Sequence, residues 1–298
     1  MSGRFHPQIE QWQKWPTPNY IDPVTQPKYV LIFSSIIGPI SIALLSARLW
    51  VGLRIQRNDG WDDWLILVSM FPVLTLTIMF PLITELHRFN RHIWDVEPEY
   101  FAVQQNYVRA IYSLFALASG LIRLSILLFY RRLSSRAIST SFRWLLWITI
   151  ISVGASMVAF FITPIFLCSP AFAFWEQSDA TELAKGYQYK CASEGADVVA
   201  YGIISTVQDL IIAMLPMLLC WNLQLRCRQK IALYSIFVVA YMAVAIGGVR
   251  TSKSYRMLFK TDDVTWVASD TWIWFLLELH LVFVCANAPA LRIFYCHF

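Results

Sequence analysis

Apolar runs alternate with short polar segments along nearly the whole 298-residue chain. Seven of these runs are long enough to cross the roughly 30 Å hydrocarbon core of a bilayer as helices. They are Val30 to Val51, Trp64 to Thr84, Phe101 to Tyr130, Trp144 to Leu167, Val198 to Cys220, Ile231 to Val249 and Val267 to Ala288. None shows the alternation over about ten residues that marks a barrel strand, and only helices or closed barrels satisfy the backbone in lipid. The pattern predicts an all-α, seven-transmembrane helix bundle over residues 30–288, preceded by a polar segment over 1–29 and followed by a short tail over 289–298. The first 29 residues have no apolar core flanked by a cleavage site, so the first span is expected to serve as the signal anchor.

Composition agrees with the pattern. Apolar residues make up 57% of the chain and charged residues 14%, about half the charged share of a soluble domain. Lipid is the expected surrounding medium, and a multi-pass protein of the plasma membrane or endoplasmic reticulum is the expected location. The formal charge of +5 comes from basic residues flanking spans, and no long Lys/Arg block is present, so nucleic acid is not an expected partner.

Orientation is read from the loops. Arg54, Arg57, Arg131, Arg132, Arg136, Arg143, Arg226, Arg228, Lys230 and Arg292 crowd into short segments on one side; an equal number on the other side is spread over about twice the length. The dense set should be cytoplasmic, which puts the N-terminus outside and the C-terminus inside. Cys168 and Cys191 then share a long loop on the oxidising side and are expected to form a disulfide, the alternative being two buried thiols.

Retinal is not an expected cofactor, because a Schiff base needs a lysine inside the bundle. Lys14, Lys28, Lys185, Lys190, Lys230, Lys253 and Lys260 all fall in loops or at span ends. Metal-ligand spacings, phosphate-binding glycine loops and a Gly-x-Ser-x-Gly elbow are also missing from the sequence, so no cofactor is predicted.

Ionisable residues at bilayer depth cost on the order of 2.5 to 3.5 kcal/mol each on insertion scales, so each needs a partner or a task. Asp209 and Glu278 lie near mid-span, and Arg123 lies on a polar stripe of the third span with Asn106, Arg109, Ser113 and Gly120. Arg123, Asp209 and Glu278 are expected to form a structural charge network, with Arg123 pairing Asp209. A sharper reading makes Asp209 or Glu278 an acid-base catalyst, with His280 and the loop residue His92 as further proton carriers. Trp94, Trp266 and Trp272 are expected in an interfacial belt, and Gly247 and Gly248 at a close helix contact. Pro72, Pro81 and Pro216 are expected to kink their spans.

Several short motifs recur in a familiar order. They include Asp62-Asp63-Trp64, Arg91-His92-Ile93-Trp94, Leu124 to Arg132, Cys168-Ser169-Pro170 with Cys191, Asp209 with Leu215-Pro216, Val249-Arg250, Asp262-Asp263 with Trp266, Glu278, and Pro289 to Arg292. With them the chain resembles the fungal rhodopsin-like integral membrane proteins of the satratoxin-cluster and Pth11-related type, from about residue 30 to residue 292. Arg123 stands where that family usually shows Lys, which keeps the charge and changes its geometry. The resemblance implies a seven-helix protein of a filamentous fungus, often encoded beside secondary-metabolite genes.

Three functional readings follow. The favoured one is participation in secondary-metabolite biosynthesis, either as an accessory protein or as an intramembrane cyclase or isomerase that holds a hydrophobic small-molecule intermediate. The alternatives are a G-protein-coupled-like receptor for an extracellular ligand and a metabolite transporter.

Overall fold

The computed structural model describes residues 15–52, 60–97, 99–134, 140–169, 190–220 and 227–297. Seven long helices account for most of them: α1 (Tyr29–Trp50), α2 (Trp61–Glu85), α3 (Glu99–Ser134), α4 (Thr140–Ile162), α5 (Glu194–Cys220), α6 (Cys227–Phe259) and α7 (Val264–His297). Successive helices run in opposite directions. The N-terminal segment, the α2–α3 and α6–α7 connections and the two-residue strands β1 (Cys168–Ser169) and β2 (Lys190–Cys191) therefore gather at one end, called here the N-face. The opposite end is the C-face.

Local sequence explains several boundaries. Gly60 precedes α2, whose first turn carries Asp62 and Asp63, carboxylates that favour the positive end of the helix dipole. Ser193 caps α5 by accepting a hydrogen bond from the Ala196 amide (3.4 Å), followed by Glu194 and Asp197 in the first turn. Arg131 and Arg132 close α3 at its negative end.

The bundle has an apolar core that encloses buried polar groups, and its outer surface is apolar as well. Ser34, Ser41, Ser69, Ser119, Ser125 and Ser205 are buried, whereas Ile32, Ile36, Phe71, Trp144, Ile151 and Ile203 are exposed. That inversion suits hydrocarbon, where an exposed apolar side chain costs nothing. Six helices, all but α6, are by length and composition able to cross a membrane among the described residues. Helix α6 packs between α5 and α7 and completes the seven-helix bundle. The whole is a multi-pass membrane protein.

Several expectations change. Helix α4 ends at Ile162 and not at Leu167; α6 runs ten residues past Val249; and α7 continues through 289–297, which were expected to be a tail. Lys253 consequently lies within α6, where it donates to Asp270 of α7 (2.5 Å). Trp272 is not in an interfacial belt: it is buried against Phe89 (ring centroids 4.5 Å) and Phe80 (5.6 Å), because its position on α7 faces the bundle. Asn106 is exposed, so the polar stripe of α3 does not face inward at that residue. Gly247 is at a close approach, 3.2 Å from its would-be Cβ to Glu278 Oε2, but Gly248 has nothing within 4 Å.

β1 and β2 pair antiparallel with Cys168 directly opposite Cys191. No disulfide is present among the described residues, and the side chains of these two cysteines lie outside them.

Candidate functional site

The central polar group joins α3, α5, α6 and α7. Arg123 reaches from α3 to Asp209 on α5 in a two-pronged contact, Nε to Oδ1 and Nη2 to Oδ2, both 2.7 Å. Arg250 of α6 engages Glu278 of α7 in the same way, Nε to Oε2 at 2.5 Å and Nη2 to Oε1 at 3.2 Å. Ser205 sits between the pairs. Its Oγ accepts from Arg123 Nη2 (2.7 Å) and Arg250 Nη2 (3.3 Å) and donates to Glu278 Oε1 (3.3 Å), which uses its whole hydrogen-bonding capacity. Arg123 Nη2 also lies 3.6 Å from Glu278 Oε1.

All four ionisable residues are buried, and two guanidinium groups balance two carboxylates. Planar, forked donors matched to carboxylates are the strongest form of such pairing. The Arg250 guanidinium carbon also lies 5.1 Å from the Phe115 ring centre and 4.9 Å from that of Phe275, where a cation gains from the ring faces.

Sequence reasoning named three members of this group and missed Arg250 and Ser205. A charge count held the clue, because Arg123, Asp209 and Glu278 alone leave one buried negative charge. Arg250 lies one residue beyond the predicted sixth span, and the longer α6 brings it inside.

His280 lies apart from the network. Its Nδ1 is 2.9 Å from Ser41 Oγ of α1, and its Nε2 is 3.1 Å from Thr77 Oγ1 of α2. Thr77 gives its only hydroxyl proton to the Val73 carbonyl (2.7 Å), so it accepts from His280 Nε2–H, and in the neutral ring Nδ1 accepts from Ser41. Both ring nitrogens are occupied, and the ring ties α1 and α2 to α7.

At the C-face, Arg48 of α1 donates to Asp62 Oδ2 (3.1 Å), Asp63 Oδ1 (2.9 Å) and the Ala286 carbonyl (2.5 Å). Arg132 approaches the same carboxylates at 3.4 and 3.8 Å. Asp62 and Asp63 thus fasten α2 to α1 and α3, and Arg48 extends the tie to α7.

At the N-face, His92 is sandwiched between Trp94 (4.7 Å, 4°) and Trp266 (4.0 Å, 5°). Its Nδ1 meets Asp263 Oδ2 at 2.5 Å, and Asp263 Oδ1 accepts from the Ile93 amide at 3.0 Å. The two motifs flanking α2–α3 and opening α7 are therefore one unit. Gln26 binds the N-terminal segment to it, donating from its amide to the Asn90 carbonyl (2.9 Å) and from Nε2 to the Trp266 carbonyl (2.8 Å).

Two recesses open in the N-face half. One, with space for about one water molecule, lies among α3 to α7 and includes Tyr112, Tyr201 and Arg250 in its lining. The other, of similarly small size, lies beside Phe89, Gln104, Gln105 and Glu194. Asp209, Glu278 and His280 line neither. No cluster of three or more His, Cys, Asp or Glu suited to a metal occurs among the described residues.

These features define a seven-helix membrane protein held together by buried ion pairs. More particularly, the fungal rhodopsin domain matches residues 47–296, and the chain belongs to that family. It is 24% identical over 267 residues to Receptor GIN3 of Arthrobotrys oligospora, covering 84% of this chain and 58% of the relative. It is 25% identical over 259 residues to an SAT4 family membrane protein of Emericella nidulans, covering 85% and 59%. It is 22% identical over 268 residues to Wortmanamides biosynthesis cluster protein C of Talaromyces wortmannii, covering 89% and 69%. The chain spans less than two thirds of the length of the first two. No solved structure matches it.

Proposed function

We propose that this protein is a receptor-type membrane protein, in which the buried ion network couples small-molecule binding in the N-face half to the packing of α3, α5, α6 and α7. The observation that carries the reading is Arg250, which lines the N-face recess and also holds Glu278. A molecule that draws on Arg250 acts on the Ser205 hub and, through it, on Arg123 and Asp209. Asp209 and Glu278 each have both carboxylate oxygens taken by guanidinium groups, which argues against their offering an oxygen to a substrate as acid-base catalysts. The relative named Receptor GIN3 supports the same direction. In this reading the N-face is outside, no retinal is bound, and Cys168 and Cys191 form a disulfide. Directly opposed residues on antiparallel strands have Cα atoms about 4.5 to 5.5 Å apart, within disulfide reach.

A second reading keeps participation in secondary-metabolite biosynthesis, supported by the relative named for the wortmanamides cluster and by the His92–Asp263 pair. With Nδ1–H held by Asp263, the neutral ring presents the Nε2 lone pair, which has no partner among the described residues. In that reading His92 exchanges protons with a metabolite at the N-face.

A strain lacking the gene separates the two. The receptor reading expects loss of the transcriptional response to spent-culture extract, restored by the wild-type chain, while microsomes with and without the chain convert the strain's metabolites equally. Conversion of a biosynthetic intermediate only by microsomes that contain the chain, abolished by His92→Ala, overturns it in favour of the second.

A further inference from the structure

Residues 100–175 carry six arginines and no Asp or Glu, so each cation in that stretch has to find its anion elsewhere. Arg123 finds Asp209 on α5, and Arg132 finds Asp62 and Asp63 on α2. Arg131 and Arg143 instead stay on the exposed surface, and no carboxylate pairs with Arg143 among the described residues. Arg131 lies eight residues beyond Arg123, about 12 Å along α3, which places it near the edge of the hydrocarbon core. Arg143 lies in the opening turn of α4, a turn with no acidic residue. A cation there opposes the positive end of the helix dipole, whereas α2 opens on two carboxylates. An anion outside the helix relieves that repulsion.

The surroundings say which anion. Arg143 and Trp147 are four residues apart and Trp144 and Trp147 three apart, so the three side chains share one face of α4. Both tryptophans are exposed. The Arg131 guanidinium carbon sits 5.2 Å from the Trp147 ring centre, which brings the end of α3 onto the same face. Two guanidinium groups and two indoles thus meet at the C-face end of the α3–α4 seam. Guanidinium forks match phosphate oxygens, and indoles settle at the headgroup level of a bilayer. A free anion would use the arginines alone, whereas the indoles call for an apolar body attached to it. A choline headgroup would bring its own cation beside the arginines, so a headgroup of net negative charge is favoured.

We propose that the C-face end of the α3–α4 seam binds an anionic glycerophospholipid, whose phosphate accepts from Arg131 and Arg143 while Trp144 and Trp147 pack on its glycerol and first acyl carbons. The site is independent of the receptor reading. With the N-face outside it falls in the cytoplasmic leaflet, where anionic lipids concentrate.

The test uses the full chain in a non-ionic detergent, with phosphatidylserine and phosphatidylcholine of the same acyl chains added in equal amounts and retained lipid read by native mass spectrometry. Phosphatidylserine should be retained in preference, on the order of 10-fold, and Arg143→Gln should lower that preference about 5-fold. Arg256→Gln removes an exposed charge from the last turn of α6, at the N-face, and should leave the preference unchanged. Equal retention of the two lipids overturns the site. No loss in Arg143→Gln, or the same loss in Arg256→Gln, overturns it as well, because net charge alone would then account for retention. Displacement of phosphatidylserine by inorganic phosphate makes the occupant a free anion and overturns the lipid assignment. Should Arg143→Gln fail to fold, phosphatidylserine with a photoreactive group near its glycerol decides on the wild-type chain. Crosslinks within 127–134 and 140–147 are expected, and crosslinks confined to other segments overturn the site. These measurements read lipid binding alone, so their failure is distinct from loss of the signalling response in the deletion strain.

Discussion

At the residue scale, the buried ion pairs dominate. Removing one member strands its partner in a low-dielectric interior, which typically costs about 3 to 5 kcal/mol, whereas replacing both members with apolar groups of similar volume is often tolerated. Arg123→Leu alone and Asp209→Leu alone should each sharply lower the thermal midpoint and yield of the detergent-solubilised protein. The double substitution should recover much of the loss. Equal damage from the double and single variants would show that the pair is not the unit. Glycines give a second contrast. A Cβ at Gly202 would lie 2.7 Å from Thr251 Oγ1, which is itself held to the Gly247 carbonyl at 2.8 Å. Gly202→Ala should therefore destabilise, while Gly248→Ala, with open space around it, should be neutral or stabilise by up to about 1 kcal/mol through helix propensity. Thermal unfolding of the two variants checks the sign.

At the element scale, each helix is positioned by a different polar anchor. His280 fastens α7 to α1 and α2, the Arg48 cluster ties α2 to α1, α3 and α7 at the C-face, and the His92–Asp263 stack joins the α2–α3 connection to α7 at the N-face. Gln26→Ala removes the side-chain bond to the Trp266 carbonyl that ties the N-terminal segment to this stack, and the bond from the Tyr29 hydroxyl of α1, while keeping its backbone bond to Asn90. Hydrogen exchange at 19–28 and 90–95 should speed up, with the helix interiors unchanged. Acceleration throughout α7 would instead make the segment part of the core. How the helices were legible in advance follows from the same physics. Apolar runs long enough to span lipid exposed all seven, including α6, because each must satisfy its own backbone. Their ends were less legible. Helix α6 continues through Arg250 and Lys253, polar residues that a hydropathy run excludes and that Glu278 and Asp270 make tolerable. Trp272 was misplaced for a related reason: tryptophan near a span end suits an interface equally well, and only packing on Phe80 and Phe89 decides.

At the scale of the whole molecule, an apolar exterior around a core that holds buried charges and hydroxyls fixes the environment, and loop charge bears on orientation. A tag at the N-terminus should be accessible to antibody on intact cells and one at the C-terminus only after permeabilisation; the reverse pattern would refute the outward N-face. Sequence by itself determined the medium, the helical class and the presence of mid-span charges, because those depend on local composition and on the cost of polar groups in hydrocarbon. Tertiary structure alone decided which charges meet. Arg123 and Asp209 are 86 residues apart and Arg250 and Glu278 are 28 apart, and no periodicity along one helix encodes the rotation of another about its axis. That rotation also leaves one corner of Arg250 turned away from its partner, a feature that follows from helix packing and has no signature in the order of residues.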